Sequence, residues 1–233
     1  MLNKKTPLAA GLAAFITIVM AVGCAATGDQ AAKSDKPEKV DYTKMSSKDL
    51  AEHLTMNGGF RFDLPVQEGG TAEQRQIQDE LQKMCTATRN KPTPEQKAKI
   101  MADARASIKY PEEGIRLGDW RRGRELAWSG FGFRIGHNND DHSKREVGGN
   151  CYNCHALATD RTGGNIGPSL TGYGKSRGNS EAVRRFVFEM IYNPHTYFPC
   201  TDMPRMGAKG LLTHEQIADL MAYILDPESP VNK

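Results

Sequence analysis

The chain has little charge of either sign to spare: 31 Lys and Arg against 28 Asp and Glu leave a formal +3 over 233 residues. That near balance, with no clustering of basic residues around aromatics, argues against nucleic acid as a partner. Arg121, Arg122 and Arg124 make the most noticeable basic run. On a helix they form a solvated face, which could also meet an acidic partner. A phosphate cradle is missing too. Residues 163–167 are glycine-rich, but no strand leads into them and no Lys-Ser/Thr pair follows. A comfortable membrane span is likewise absent. Residues 7–22 are apolar and uncharged after Lys4 and Lys5, but the stretch is short and sits at the very start. It reads as a signal peptide.

Cysteine is scarce as well, with five in the chain. Ala21-Val22-Gly23-Cys24 places small residues before a cysteine, as in a bacterial lipobox. Ala21 stands where that pattern usually has Leu. Residues 1–23 are then a signal peptide of lipoprotein type, and Cys24 becomes the lipidated N-terminus. The alternative is ordinary cleavage near residues 23–26, with Cys24 incidental. Both readings export the chain to the periplasm, and the first anchors it to a membrane through Cys24. Residues 24–45, rich in Ala, Lys, Asp, Ser and Pro, form a solvated tether.

Two of the remaining cysteines fall in Cys151-Tyr152-Asn153-Cys154-His155. Cys-x-x-Cys-His is the attachment run of a c-type haem. One turn of chain presents both sulfurs to one edge of the porphyrin, and the next residue carries its imidazole beneath the iron. Cys151 and Cys154 would form thioethers, and His155 would be the proximal ligand. A thioredoxin-like pair would need a βαβ setting, and half of a zinc site would need a second ligand pair. The sequence offers neither. One covalently attached haem c is expected. Cys85 and Cys200 are left as an even pair in an oxidising compartment. A disulfide between them closes a loop of about a hundred residues, which chain entropy values at up to about 4–5 kcal/mol. Two unrelated buried thiols, or a reactive Cys200 beside the haem, are the alternatives.

The periodicity is helical. In residues 46–112, Ser47 opens a short helix, Thr71 starts a run through Met84, and Thr93-Pro94-Glu95-Gln96 starts another that ends before Tyr110-Pro111. In residues 113–233, Asp119 caps a helix through Trp128 whose Trp120, Gly123 and Ala127 share one face, small enough to let another helix cross closely. Thr213-His214-Glu215-Gln216 is a capping box before an apolar stripe of Ile217, Leu220, Met221, Ile224 and Leu225, with Tyr223 aimed at that small face. A helix over 181–192 turns Val183, Phe186, Val187, Met190 and Ile191 inward. Helix, Cys-x-x-Cys-His, helix, Met-bearing loop and C-terminal helix is the order of a class I cytochrome c. The fold class is therefore all-α: a class I cytochrome c-like haem domain over 113–233, with an N-terminal helical extension over 46–112.

The distal ligand belongs on the loop before the last helix. Met203 is favoured, since Pro204 stiffens the loop; Met206 and His195 are its rivals. Thioether sulfur is soft and neutral, and it raises the reduction potential. In class I cytochromes a Gly-Pro-x-Leu stretch lines the proximal side. The Pro168 carbonyl would accept Nδ1–H of His155, and Leu170 and Tyr173 would wall the haem. His53, His137, His142 and His214 read as surface residues.

Several segments together resemble SoxX, the small cytochrome subunit of the SoxAX complex of bacterial thiosulfate oxidation. They are Gly118-Asp119-Trp120, Gly148-Gly149-Asn150 leading into Cys151–His155, Ile166-Gly167-Pro168-Ser169-Leu170, and Cys200-Thr201-Asp202-Met203-Pro204-Arg205-Met206-Gly207. The closing stretch from Leu212-Thr213 to Asp226-Pro227 fits, as does an insert between the first helix and the haem run. The extension with Cys85 looks like the longer SoxX forms. Met206 stands where Phe is expected. The resemblance implies an electron-accepting subunit of an L-cysteine S-thiosulfotransferase, which joins thiosulfate to a cysteine of the SoxYZ carrier. The bond-making haem would lie on a SoxA-type partner. Electrons would leave to a soluble cytochrome c, and no residue of this chain would be catalytic. A free-standing lipid-anchored electron shuttle and a haem gas sensor are the competing readings.

Overall fold

The structure is a computed structural model that describes residues 39–56, 62–66, 69–132 and 141–233. The signal peptide, most of the tether with Cys24, and His137 lie outside the described residues. The chain divides into two units, Met1–Met45 and Ser46–Lys233. In the first, the described residues hold one 3-10 turn, Tyr42–Lys44, capped by Asp41, whose carboxylate accepts the Thr43 N–H at 3.1 Å.

The second unit carries eight α-helices among its described residues. The first four are α1 Ser47–Met56, α2 Ala72–Gln76, α3 Glu80–Ala87 and α4 Pro94–Ala106; they are followed by α5 Trp120–Trp128, α6 Tyr173–Arg177, α7 Glu181–Tyr192 and α8 His214–Leu225. The described residues contain no strand, and one isolated antiparallel bridge joins Pro65 and Thr71. None of these helices is long and apolar enough to cross a membrane. The fold is all-α, with a class I cytochrome c arrangement of α5, α7 and α8.

Local chemistry sets most helix starts. Thr71, Asp79, Thr93 and Thr213 each make a full capping box with the Gln three residues on, satisfying two otherwise orphaned backbone donors. Ser46, rather than Ser47, caps α1 by accepting the Asp49 N–H at 3.2 Å. The run from Thr71 to Met84 is not one helix. It breaks at residues 77–79, because the second capping box at Asp79 restarts the chain as α3.

The core lies where α5 crosses α8. Ile217, Met221, Ala222, Tyr223 and Leu225 are fully buried, and each large apolar side chain among them stabilises the fold by about 1.5–3 kcal/mol. Gly123 and Ala127 give α5 the flat face that admits α8. In α7 the buried residues are Val187, Phe188, Glu189, Ile191 and Tyr192, while Val183, Phe186 and Met190 are half-buried. Val183 and Phe186 pack on the main core, so the inward face is the expected one, widened to take in Phe188, Glu189 and Tyr192. Glu189 is satisfied there, its two carboxylate oxygens accepting hydrogen bonds from Tyr110 and Tyr197, each at 2.6 Å.

The extension packs on the end of α7. Arg105 of α4 donates to the Thr196 carbonyl at 3.4 Å, and Asn193 donates to Ser107 at 2.9 Å. A second, small core gathers Cys85, Ile100 and Cys200, with Leu81 and Met84 against it.

Candidate haem site

Cys151–Asn153 form a 3-10 turn, entered through Asn150 in the left-handed region at φ 49°. The Cys151 carbonyl accepts both the Cys154 N–H at 3.1 Å and the His155 N–H at 2.9 Å. The turn therefore brings the two cysteines and the histidine together as a rigid triplet. Cys151 and Cys154 are free thiols, not bonded to each other. Burial pushes the Cys151 thiol up to about 12, so without attachment it stays protonated. Tyr152 between them is buried, its hydroxyl 2.6 Å from that of Tyr223 on α8, and it accepts the Ala158 N–H at 3.2 Å. The attachment turn is thus pinned to the α5–α8 core.

The glycine-rich run of 163–167 closes over this turn. Gly164 N–H donates to the Tyr152 carbonyl and Gly167 N–H to the Cys154 carbonyl, both at 2.8 Å. A Cβ on Gly167 would stand 2.6 Å from Nδ1 and 2.8 Å from Nε2 of His155, so the backbone itself backs the imidazole. Next in the chain, the Pro168 carbonyl lies 2.7 Å from His155 Nδ1. A carbonyl only accepts, so Nδ1 carries the proton and Nε2 keeps its lone pair. Leu170 N–H reaches back to the Ala156 carbonyl at 2.8 Å, and Leu170 and Tyr173 are half-buried against the main core.

In the loop before α8, Met203 and Met206 are both half-buried against the same core. The Met203 N–H donates to Thr201 Oγ1 at 3.3 Å. Cys200, φ 60°, is bonded to Cys85 of α3 at 2.09 Å. His195 is buried, and its Nδ1 accepts the Cys200 N–H at 3.1 Å. In its neutral tautomer Nε2 then carries the proton, which takes away the lone pair a metal would need. Burial first, then the nearby Arg205, holds its pKa below the ordinary histidine value.

Two free thiols one turn apart, and an imidazole with a free Nε2 buttressed on its other nitrogen, are the donor set a c-type haem needs. The residues present fit that group. When bound, it supplies a one-electron couple that the protein tunes through ligands, hydrogen bonds and burial.

Other residues sit differently from the sequence expectation. His214 is half-buried, with Nε2 2.8 Å from the Lys109 carbonyl and its ring near Phe188 and Tyr192. His142 is half-buried with its ring edge-on to Phe131. Arg122 and Arg124 are not a free basic face. Arg122 pairs with Glu146, Glu215 and Asp219, and Arg124 with Asp160 at 2.5 Å. Sequence reasoning missed Glu189 and Asp79; the second could have been found from its capping box.

A helical cytochrome architecture, a Cys-x-x-Cys-His turn and a buttressed proximal histidine define a c-type cytochrome, and the sequence profile of cytochrome c matches residues 144–226, which hold the attachment run and both loop methionines. The chain carries a cytochrome c domain, with covalently bound haem c as its cofactor and electron transfer as its class of function. An uncharacterized lipoprotein of Aquifex aeolicus (strain VF5) is 42% identical over 162 residues, which are 67% of this chain and 73% of that protein. The chain belongs to the same family as that lipoprotein.

Proposed function

We propose that the chain is a periplasmic monohaem cytochrome c in which Cys151 and Cys154 hold the haem and His155 and Met203 ligate the iron. On this reading it is the electron-accepting, SoxX-type subunit of a thiosulfate-conjugating complex. Thiosulfate and a carrier cysteine thiol would form a disulfide-type S–S bond at the SoxA-type partner, releasing the thiol proton and two electrons. This chain would take the electrons singly and pass them to a soluble cytochrome c. A six-coordinate His/Met iron suits that role, because its ligands change little on reduction.

One observation carries the reading. The Cys85–Cys200 bond ties the helical extension to the Met203 loop, and that extension is what the resemblance to the longer SoxX forms adds to a minimal cytochrome. The proton on Nε2 of His195 further favours Met203 as the distal ligand. The test is native purification. The chain should co-purify with a second cytochrome, and thiosulfate should reduce its haem only when that partner and the carrier are present. A protein that runs as a monomer in native extract and binds no SoxA-type subunit overturns this reading.

The Aquifex relative, named a lipoprotein, favours a second one: a lipid-anchored electron shuttle acting alone. Cys24 would be the anchor in either case. Intact mass of the mature protein reports acyl chains and the number of haems together.

A further inference from the structure

We propose that Asp79 of the helical extension is a positioning residue for the iron-ligating methionine: together with the Cys85–Cys200 bond it clamps the loop that presents Met203. The inference rests on the His155/Met203 reading above. Cys200 precedes Met203 by three residues and is bonded to Cys85 of α3. Arg205 follows by two and Lys209 by six, and both close on the same carboxylate oxygen of Asp79, Arg205 at 2.8 Å and Lys209 at 2.7 Å. The loop is therefore held on both sides of the methionine by one short stretch of the extension.

Asp79 is itself fixed. It accepts the Gln82 N–H at 3.0 Å and returns its own N–H to the Gln82 side chain at 3.0 Å. The Arg205 side chain is 13% exposed and Asp79 33%, so this pair is less open to screening than a surface ion pair. Beyond the methionine, the Gly207 and Ala208 N–H groups hold the loop to the Tyr192 carbonyl at 3.1 and 3.0 Å. At Met203 itself the N–H bond to Thr201 is long, at 3.3 Å, and a neutral thioether is a weak ligand that stays bound only when its loop returns it to the iron. A groove of about 660 Å³ runs between α3 and the loop, lined among others by Gln78, His195 and Met203, so the methionine has open space beside it into which the loop can relax.

The experiment uses the ferrous holo-protein and carbon monoxide as the probe. It reads the rate of carbon monoxide binding and the long-wavelength sulfur-to-iron absorption of the ferric form. Asp79→Ala should bind carbon monoxide about tenfold faster or more, with a weakened absorption band. Asp79→Glu should restore both. Thr93→Ala breaks the capping box of α4, which lies outside the groove, and should leave both unchanged. Should Asp79→Ala fail to fold, Lys209→Gln decides, with faster binding expected. Unchanged rates in Asp79→Ala, or in Lys209→Gln if that variant decides, overturn the proposal, as does a Thr93→Ala variant that behaves like Asp79→Ala. A wild-type protein with no sulfur-to-iron band, or already open to carbon monoxide, instead overturns the Met203 reading beneath it.

Discussion

Gly123 of α5 and Asp219 of α8 meet backbone to backbone. A Cβ at position 123 would press on the Asp219 carbonyl oxygen, 2.6 Å from the carbonyl carbon and 2.9 Å from Tyr223 Cβ. The same Asp219 accepts the Asp119 N–H at 2.7 Å and pairs with Arg122 at 3.4 Å, so the crossing is fixed at the start of α5 as well. Gly123→Ala must push the helices apart. Overpacking of this kind costs about 1–3 kcal/mol, and here it acts on rigid backbone. Urea unfolding of the holo-protein should show at least that loss, while Gly210→Ala, whose added Cβ meets nothing within 4 Å, should show only the strain of its φ of 66°.

The proximal histidine gives a second prediction. Gly167 backs the imidazole and the adjoining Pro168 carbonyl accepts Nδ1–H. Gly167→Ala leaves the ring no room, so it must tilt away from the carbonyl. Partners of a metal-bound histidine tune its basicity, and their loss typically lowers metal affinity or activity about 10–100-fold. The expected outcome is a lower yield of covalently attached haem per chain and a reduction potential displaced from wild type, read by intact mass and redox titration. Unchanged values would mean the ring does not depend on this backbone.

Much of this was legible in the sequence because its signals are local. Cys151–His155, the Thr93-Pro94 helix start, the capping box at Thr213, and the small face of Gly123 and Ala127 all lie within one or two turns of chain. What escaped depends on distant partners. The buried Glu189 of α7 relies on two hydroxyl donors, and one of them, Tyr110, is 79 residues away. Phe188 packs between Tyr110, Tyr192 and His214, with centroids 5.8, 5.6 and 5.9 Å away, and no periodicity in α7 could carry that information. The break at residues 77–79 was different. Asp79 and Gln82 spell a capping box, but Ile77, Leu81 and Met84 also fit an uninterrupted helical stripe, and the stripe is the weaker constraint where Asp79 has Arg205 and Lys209 to hold.

Removing the covalent tie should weaken the fold substantially. Cys85 and Cys200 are 115 residues apart and form most of the small second core with Ile100. The double variant Cys85→Ser/Cys200→Ser loses the loop-closure advantage and places two hydroxyls in an apolar site. A loss of about 2–5 kcal/mol is expected, read by chemical denaturation of the holo-protein. The haem should remain attached, because Cys151 and Cys154 are separate from this pair. A stability equal to wild type would mean that packing alone holds the extension.

The tyrosine pair on Glu189 sets a limit at high pH. Desolvation first, and then the hydrogen bond to Glu189, pushes the Tyr197 hydroxyl up to about 12, and the same two causes raise that of Tyr110. The unfolded chain loses these protons near pH 10. A folded pKa above the unfolded one means the native state binds more protons in that window, so the stabilisation is complete below pH 10 and is lost as pH rises towards about 12. Denaturant unfolding measured across pH 9 to 12 should therefore fall in wild type and fall less in Tyr197→Phe. At neutral pH the same variant gives up one hydrogen bond to a buried carboxylate, at a cost of about 1–3 kcal/mol. The two curves should converge as the wild-type hydroxyl ionises. Parallel curves over the whole range would show that Tyr197 does not titrate with the fold.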